Sequence, residues 1–218
     1  MSKQNAKTLE AYNQTAKQYM ANSIEHDNLD PAKAQRKRAK LNDFIQQSFA
    51  TLPKHARVFE IGSADGKNAK FLQSLGYDVT ASDVAPDFLA TIKQQGFEPL
   101  KFDVLNDEFP QTYHGIFCWR VFVHFTSEDF LVALKKTYAA LEPGGRLIFN
   151  VFNREDRGVD YEWTDFPGEY RMGVDRYFNY FRDSEIRDLI AQTGYSIAHF
   201  HREGGDSGNK WLVFVLEK

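Results

Sequence analysis

Apolar residues recur along this chain with two alternating periods. Near the start, Leu9, Tyr12, Ala16 and Tyr19 fall three or four positions apart, which predicts a helix over residues 3 to 20 with one apolar, aromatic stripe. The polar run from Ser23 to Asp30 reads as a linker, and Pro31 then opens a second helix, where proline is tolerated in the first turn. Leu41, Phe44, Ile45 and Phe49 form the buried side of that helix, and Leu52-Pro53 ends it. From there short apolar runs alternate with amphipathic segments. Strands are expected at Val58 to Ile61, Tyr77 to Asp83, Phe97 to Phe102, Tyr113 to Phe125 and Arg146 to Phe152, with two more at Ser196 to Arg202 and Lys210 to Glu217. Between them, helices follow the first glycine loop, begin at Pro86, run from Ser127 to Leu141 and start at Asp183, with Gly76, Gly96 and Gly194 as stops. Alternation of this kind predicts one α/β domain, and the chain divides into an N-terminal helical extension over residues 1–50 and a main domain over 51–218.

A length of 218 residues with 42% hydrophobic content is enough for one full core. The formal net charge of −3 argues against a chain built to coat nucleic acid, although Lys33, Arg36, Lys37, Arg38 and Lys40 make a local basic run whose bland reading is a solvated helix face. One cysteine, Cys118, rules out an internal disulfide and an all-Cys metal site, and fits a reducing compartment. With a polar N-terminus and no apolar run of about 18 residues, the expectation is a cytoplasmic protein without a membrane segment. Nothing in the sequence requires a metal.

Chemistry concentrates where the first strand meets its helix, in Glu60-Ile61-Gly62-Ser63-Ala64-Asp65-Gly66. Gly62 and Gly66 admit positive φ or close approach of backbone to a ligand. The unpaired N–H groups that open the next helix carry partial positive charge. A glycine loop of this kind alone is shared by dinucleotide enzymes and others. The carboxylate at Glu60 is poorly suited to a pyrophosphate and well suited to a ligand bearing an ammonium group.

In the pattern Glu-x-Gly-x-Ala-x-Gly the sequence resembles the class I S-adenosylmethionine-dependent methyltransferases, whose first motif is an acidic residue followed by Gly-x-Gly-x-Gly; Ala64 is the one departure. Asp83 at the end of the second strand, Asp103-Val104 after the third, and Leu141-Glu142-Pro143-Gly144-Gly145 before the fifth extend the resemblance over residues 57 to 152. It implies a Rossmann-like, seven-stranded, mostly parallel sheet in the order 3-2-1-4-5-7-6 with a reversed last strand and helices on both faces. It further implies that Glu60, Gly62, Ser63, Ala64 and Gly66 cradle S-adenosylmethionine, that Asp83 meets the ribose with Val84 beside it in the cofactor site, and that Asp103 and Val104 meet the adenine. Cys118 and Trp119 would wall the cofactor, and Tyr19 of the N-terminal helix would touch it, plain packing being the competing reading for Tyr12 and Tyr19. Arg38 meeting the cofactor carboxylate is the sharper reading of the basic run. His124 is the histidine considered as a general base, against a structural role.

Residues 153 to 182 form an insertion rich in aromatic, acidic and arginine residues, placed after the fifth strand where the ligand edge of the sheet lies. A substrate lid is expected there, with Tyr161, Trp163, Arg171 and Tyr177 as wall residues; an aromatic edge hairpin or dimer face is the alternative. The turn after the sixth strand adds His201 and Asp206 as substrate-facing candidates. The expected activity is methyl transfer to a small-molecule oxygen, nitrogen or sulfur acceptor by a monomer or homodimer. An RNA-directed methyltransferase, an NAD(P)-binding oxidoreductase and a non-catalytic cofactor-binding protein are the rivals. The chain contains neither a Tyr-x-x-x-Lys pair nor an Asn/Asp-Pro-Pro-aromatic motif after the fourth strand, which counts against the oxidoreductase and the base-amine enzymes.

Overall fold

The computed structural model describes residues 2–165, 171–204 and 210–218. It opens with α1 (Lys3–Leu29) and α2 (Pro31–Ser48). The expected linker at Ser23 to Asp30 is therefore a correction: α1 continues through it, because the segment holds neither Gly nor Pro and its polarity is that of a solvated helix. Asp30 is the break, since it closes α1 and its side chain accepts from the Lys33 N–H at 2.9 Å to cap α2.

The main domain follows as β1 (Arg57–Ile61), α3 (Lys67–Ser74), β2 (Asp78–Asp83), α4 (Pro86–Gln94), β3 (Leu100–Lys101), β4 (Tyr113–Cys118), a 3-10 turn (Phe122–His124), α5 (Ser127–Ala140) and β5 (Leu141–Asn153). It continues through α6 (Arg154–Arg157), β6 (Tyr161–Thr164), β7 (Arg176–Phe181), α7 (Asp183–Ile190), β8 (Ser196–Glu203) and β9 (Trp211–Glu217). Strand β3 is shorter than expected; as an edge strand it pairs only Leu100 and Lys101 with β2, and Phe97 turns inward against Ala69, Ala81 and Ile92. Strand β5 is longer, since Leu141 already pairs with Tyr113 before the Pro143-Gly144-Gly145 irregularity and regular pairing resumes at Arg146 opposite Gly115.

Set apart from the β6–β7 hairpin, the strands lie in the order β3-β2-β1-β4-β5-β9-β8, with β9 antiparallel to β5 and β8. This is the order 3-2-1-4-5-7-6 with a reversed last strand that the resemblance implies. The insertion folds as an antiparallel hairpin, Trp163 opposite Tyr177, and joins the sheet where β4 has ended: Phe152 and Asn153 of β5 pair in parallel with Tyr180 and Phe181. Every residue of β7 is buried. Asn179 Nδ2 donates to the Phe125 carbonyl at 3.0 Å, and the Tyr177 N–H donates to Thr8 Oγ1 at 3.1 Å. The hairpin is thus stitched to the main sheet below and to α1 above.

Two apolar layers hold the sheet. On one side Phe59 meets Phe102, Phe109 and Tyr113 edge-on at 4.9, 5.0 and 5.1 Å, and Phe149 stacks on Phe214 at 5.3 Å. On the other, Ile45 and Phe49 of α2 are buried against Val58, Leu72, Phe117, Ile148 and Val215. A rigid sheet fixed from both faces is what lets loops at the carboxyl ends of its strands hold a site in place. Among the described residues, no helix is long and apolar enough to cross a membrane.

Candidate active site

The carboxyl ends of β1, β2, β3 and β4, roofed by α1 and α2, enclose a cleft of about 1050 Å³. The glycine loop forms its floor. Gly62, Ala64 and Gly66 have φ of +72°, +46° and +74°. A Cβ on Gly62 would stand 2.4 Å from Val121 Cγ2, so both backbone conformation and space demand glycine there. The loop is tied to its neighbour strand: the Ser63 N–H donates to the Ser82 carbonyl at 2.8 Å, and Ser82 Oγ donates to the Glu60 carbonyl at 2.7 Å. Ser63, Ala64 and Asn68 line the cleft.

Asp83 sits beside this loop, nearly buried but on the cleft wall. Its Oδ2 accepts from the Ala64 N–H at 3.0 Å, and its Oδ1 accepts from the Val84 and Ala85 N–H groups at 2.8 and 3.1 Å. Burial raises its pKa, and the three backbone donors oppose that rise. Two carboxylate oxygens offer about four lone-pair directions, so a further donor can still be accepted from the cleft. At the next strand exit Asp103 Oδ1 accepts from the Leu105 N–H at 3.0 Å and its Oδ2 from Asn106 Nδ2 at 2.6 Å. Val84, Val104 and Phe102 form the apolar wall between these two acids and the helical roof. From the roof, Tyr19 reaches Phe88 edge-on at 5.7 Å, and Trp119 lies parallel to Phe117 at 5.7 Å under Phe44. Arg38 of α2 also lines the cleft, where its Nη1 donates to Asn68 Oδ1 at 2.6 Å.

Glu60 and Cys118 take other places than the sequence suggests. Glu60 lies beneath the loop instead of on the wall, 1% exposed, with no hydrogen-bond partner for Oε2. Burial pushes its carboxyl up to about 7, against the lowering effect of Ser63 and Asn68 and with the help of the nearby Asp65 and Asp83 charges. Cys118 is fully buried in the core and absent from the cleft wall, and burial raises its thiol pKa. The residues that turn into the cleft from this strand exit are instead Trp119, Arg120 and Val121. Arg120 has φ +63°, a conformation that a residue with a Cβ adopts at a cost, and its N–H donates to Asn150 Oδ1 at 2.7 Å.

The far end of the cleft belongs to the hairpin, and here alternation decides which residues face inward. Arg176 and Phe178 line the cleft, whereas Tyr177 points to the opposite face of β7. There Tyr177 meets Tyr161 and Trp163 at 5.6 and 5.7 Å, Lys7 lies over the Trp163 ring, and Tyr161 and Trp163 are 58% and 39% exposed. Arg171 is an exposed side chain 3.6 Å from Asp165. The expectation that Tyr161, Trp163, Arg171 and Tyr177 wall the cleft is corrected: none of the four lines it. A strict period of two, read from the buried Phe178, would have selected Arg176 instead. Of the turn candidates, His201 does line the cleft, 5.1 Å from the Phe44 ring, while Asp206 lies outside the described residues.

His124 lines the cleft in a chain of hydrogen bonds. Its Nδ1 is 2.7 Å from the Tyr177 carbonyl, which only accepts, so Nδ1 carries the proton. Nε2 therefore accepts from the Tyr12 hydroxyl at 3.0 Å, and Tyr12 in turn accepts from Arg176 Nη1 at 3.1 Å. Burial, aided by the Arg176 charge, drives the imidazole down to about 3. His124 is a neutral ring that orders Tyr12. Among the described residues there is no group of three or more side chains arranged to hold a metal ion.

Residues 33–199 match the family described as a methyltransferase domain. A curated relative, the ubiquinone biosynthesis O-methyltransferase of Xanthomonas campestris pv. campestris (strain B100), is 24% identical over 146 residues, 60% of this chain and 59% of that protein. The putative methyltransferase YqeM of Bacillus subtilis is 22% identical over 147 residues. The chain spans about three fifths of the length of the curated relatives it matches. Among solved structures, magnesium protoporphyrin IX methyltransferase from Synechocystis PCC 6803 with bound SAM superposes with a TM-score of 0.71 at 13% identity, covering 100% of this chain and 98% of that one. An S-adenosylmethionine-dependent methyltransferase from Clostridium acetobutylicum ATCC 824 gives 0.65 at 14%, covering 81% and 89%. With the family match spanning most of its length, the carboxylates at successive strand exits and the sheet order in agreement, this chain belongs to the methyltransferase-domain family.

Proposed function

We propose that the chain is an S-adenosylmethionine-dependent methyltransferase that acts on a small-molecule acceptor. The observation that carries this reading is the ordered set of acids at one sheet edge: Glu60 beneath the glycine loop, Asp83 at the end of β2 and Asp103 after β3, the last two opening on the same cleft. The group fits these residues. Asp83, fixed by three backbone donors, would accept from the ribose hydroxyls, and Asp103 with Val104 would meet the adenine edge. Gly62, Ser63 and Ala64, which line the cleft, would cradle the methionine portion by backbone, while Gly66, which is not on the cleft wall and packs toward Gln95 and Ile92, would shape the loop, and the buried Glu60 would act from beneath it. Tyr19 and Trp119 would close over it. Cys118 would act from behind the wall as packing.

Bound there, the cofactor supplies a methyl group already activated by its sulfonium. The chain's own work is then to hold the acceptor in line and exclude water, tasks that rest on position more than on proton transfer. His124 contributes by orienting Tyr12: its Nδ1–H is held by the Tyr177 carbonyl and its Nε2 holds the Tyr12 hydroxyl at the junction of the cofactor and hairpin ends of the cleft. With its imidazole near 3, it accepts a solvent proton poorly at neutral pH. The test is titration calorimetry with S-adenosylmethionine, S-adenosylhomocysteine and, separately, NADH. Micromolar binding of the first two and silence from the third supports the assignment; NADH binding alone, or no binding, refutes it.

A further inference from the structure

Among the described residues β8 pairs only with β9, so it forms an edge of the main sheet. Alternate residues of a strand share a face, and His199, His201 and Glu203 therefore stand in one row. Lys40 and Phe44, one turn apart on α2, lie against that row: the Phe44 ring is 6.0 and 5.1 Å from the two imidazoles, and Lys40 Nζ is 2.7 Å from Glu203 Oε2. Within the row, His199 Nε2 is 3.1 Å from His201 Nδ1, and His201 Nε2 is 3.8 Å from Glu203 Oε2. His201 and Lys40 bring the Glu203 carboxyl down to about 2, so it is ionised and draws the His201 proton to Nε2. His201 Nδ1 is left as an acceptor, and His199 Nε2–H donates to it. Burial, with the His201 charge, lowers the His199 pKa and keeps that ring neutral at pH 7. His199 is exposed and His201 half-buried, so solvent reaches the pair.

We propose that His199 and His201 form a surface chelate for a borderline divalent cation, Cu²⁺, Ni²⁺ or Zn²⁺, with Glu203 as the partner that orients His201. Three features converge on it, none of which depends on the methyltransferase reading. Two imidazole nitrogens bound to one such ion at about 2.0–2.1 Å stand about 2.8–3.4 Å apart, from square to tetrahedral geometry. The 3.1 Å between the facing nitrogens lies inside that span. A carboxylate at the far nitrogen of a ligating imidazole fixes its tautomer and raises its basicity, and that is where Glu203 stands. The ring of His199 is exposed and neutral, so it can pass its proton from Nε2 to Nδ1 through solvent, turn slightly, and present a second lone pair to the ion with no net proton released. Among the described residues no three side chains are arranged to hold a metal, so water fills the remaining positions and the ion stays exchangeable, unlike one in a closed structural site. His201 lines the cleft, which puts the ion at its rim. Imidazole ligands favour these ions over Mg²⁺ and Ca²⁺, which take oxygen.

The test uses the untagged full-length protein, freed of metal by a chelator and titrated calorimetrically with Zn²⁺ and with Mg²⁺; one equivalent of Cu²⁺ is then followed by electron paramagnetic resonance. Zn²⁺ should saturate one site in the micromolar range while Mg²⁺ gives no heat, and the Cu²⁺ spectrum should carry hyperfine coupling from two imidazole nitrogens. His199→Gln, a change at an exposed position, should lower Zn²⁺ affinity tenfold or more and reduce the coupling to one nitrogen. His201→Gln should do the same, whereas His55→Gln, in the turn before β1 at the opposite edge of the sheet, should leave both readings unaltered. Affinity should weaken from pH 7.5 to pH 5, as protons compete for the two rings. An unchanged urea midpoint in His199→Gln separates a lost ligand from a lost fold, and a midpoint that falls together with the affinity counts against the chelate. Absence of saturable Zn²⁺ binding, affinity unaltered in both β8 variants, or a Cu²⁺ spectrum without coupling from two nitrogens overturns the assignment.

Discussion

Replacing Glu60 by glutamine should stabilise the protein, and only above a definable pH. Glu60 is 1% exposed, its Oε2 has no partner, and its carboxyl titrates near 7 in the fold against 4.5 for an unperturbed glutamate. Below pH 4.5 the group is protonated in folded and unfolded chains alike and has no effect on the balance between them. Between 4.5 and 7 the folded state binds the additional proton, so stability falls as pH rises; above 7 both states are ionised and the penalty is constant. A shift of this size corresponds to about 3 kcal/mol, at 1.36 kcal/mol per pKa unit. Glutamine has the same shape and can keep the contacts of Ser63 and Asn68. Urea denaturation of the wild type and Glu60→Gln at pH 5 and pH 8 isolates the effect of Glu60 and its coupling to Asp65 and Asp83, because titrations of groups that do not interact with it cancel in the difference. The variant should gain on the order of 3 kcal/mol at pH 8 and much less at pH 5. A difference independent of pH, or one that is larger in acid, would refute the placement of this carboxyl in a low-dielectric site.

Asp83→Asn keeps one acceptor oxygen for the Val84 and Ala85 N–H groups, sets its NH2 against the Ala64 N–H and loses the charge; cofactor affinity by calorimetry should drop by tenfold or more, and unchanged affinity would remove the ribose assignment. Gly62→Ala should cost about 1–3 kcal/mol from its positive φ and the Val121 contact, read from chemical denaturation; a neutral result would show that the loop relaxes freely. Tyr12→Phe leaves His124 Nε2 without its donor, so turnover should fall while cofactor affinity stays within a few-fold, and a loss confined to cofactor affinity would contradict the ordering role. Phe149→Ala, between Phe130 and Phe214, should lower stability by about 3–5 kcal/mol as measured by urea titration, and a change below 1 kcal/mol would mean that the core is not packed as described.

The succession of strands and helices and the acids near the strand exits were legible in the sequence because they are local events, whereas the order of the strands in the sheet was implied only by the family resemblance. Glu60, Asp83 and Asp103 each follow a short apolar run by a fixed offset, and chain order alone brings such exits to one sheet edge through right-handed crossovers. Tyr19, Val84, Val104, Trp119 and His201 reach the cleft for the same reason, carried there by elements whose faces the apolar spacing defines. What remained hidden depended on contacts between distant segments. The run from Ser23 to Leu29 is polar with or without a helix, and only the missing glycine and proline hinted at continuation. In the insertion, aromatic residues stand on both sides of β7, so composition could not choose between the Tyr177 face and the Arg176 face; the choice was made by docking of the hairpin on Phe125, Thr8 and the end of β5. His124 looked titratable because the sequence carries no record of burial, and its fall to about 3 comes from surroundings contributed by α1, β7 and the 3-10 turn together. Local pattern determined the platform and its acids, since hydrophobic period and turn chemistry act over a few residues. Tertiary packing decided the acceptor end, because which face of a strand points inward, and whether a buried group keeps its charge, are set by what lies against it.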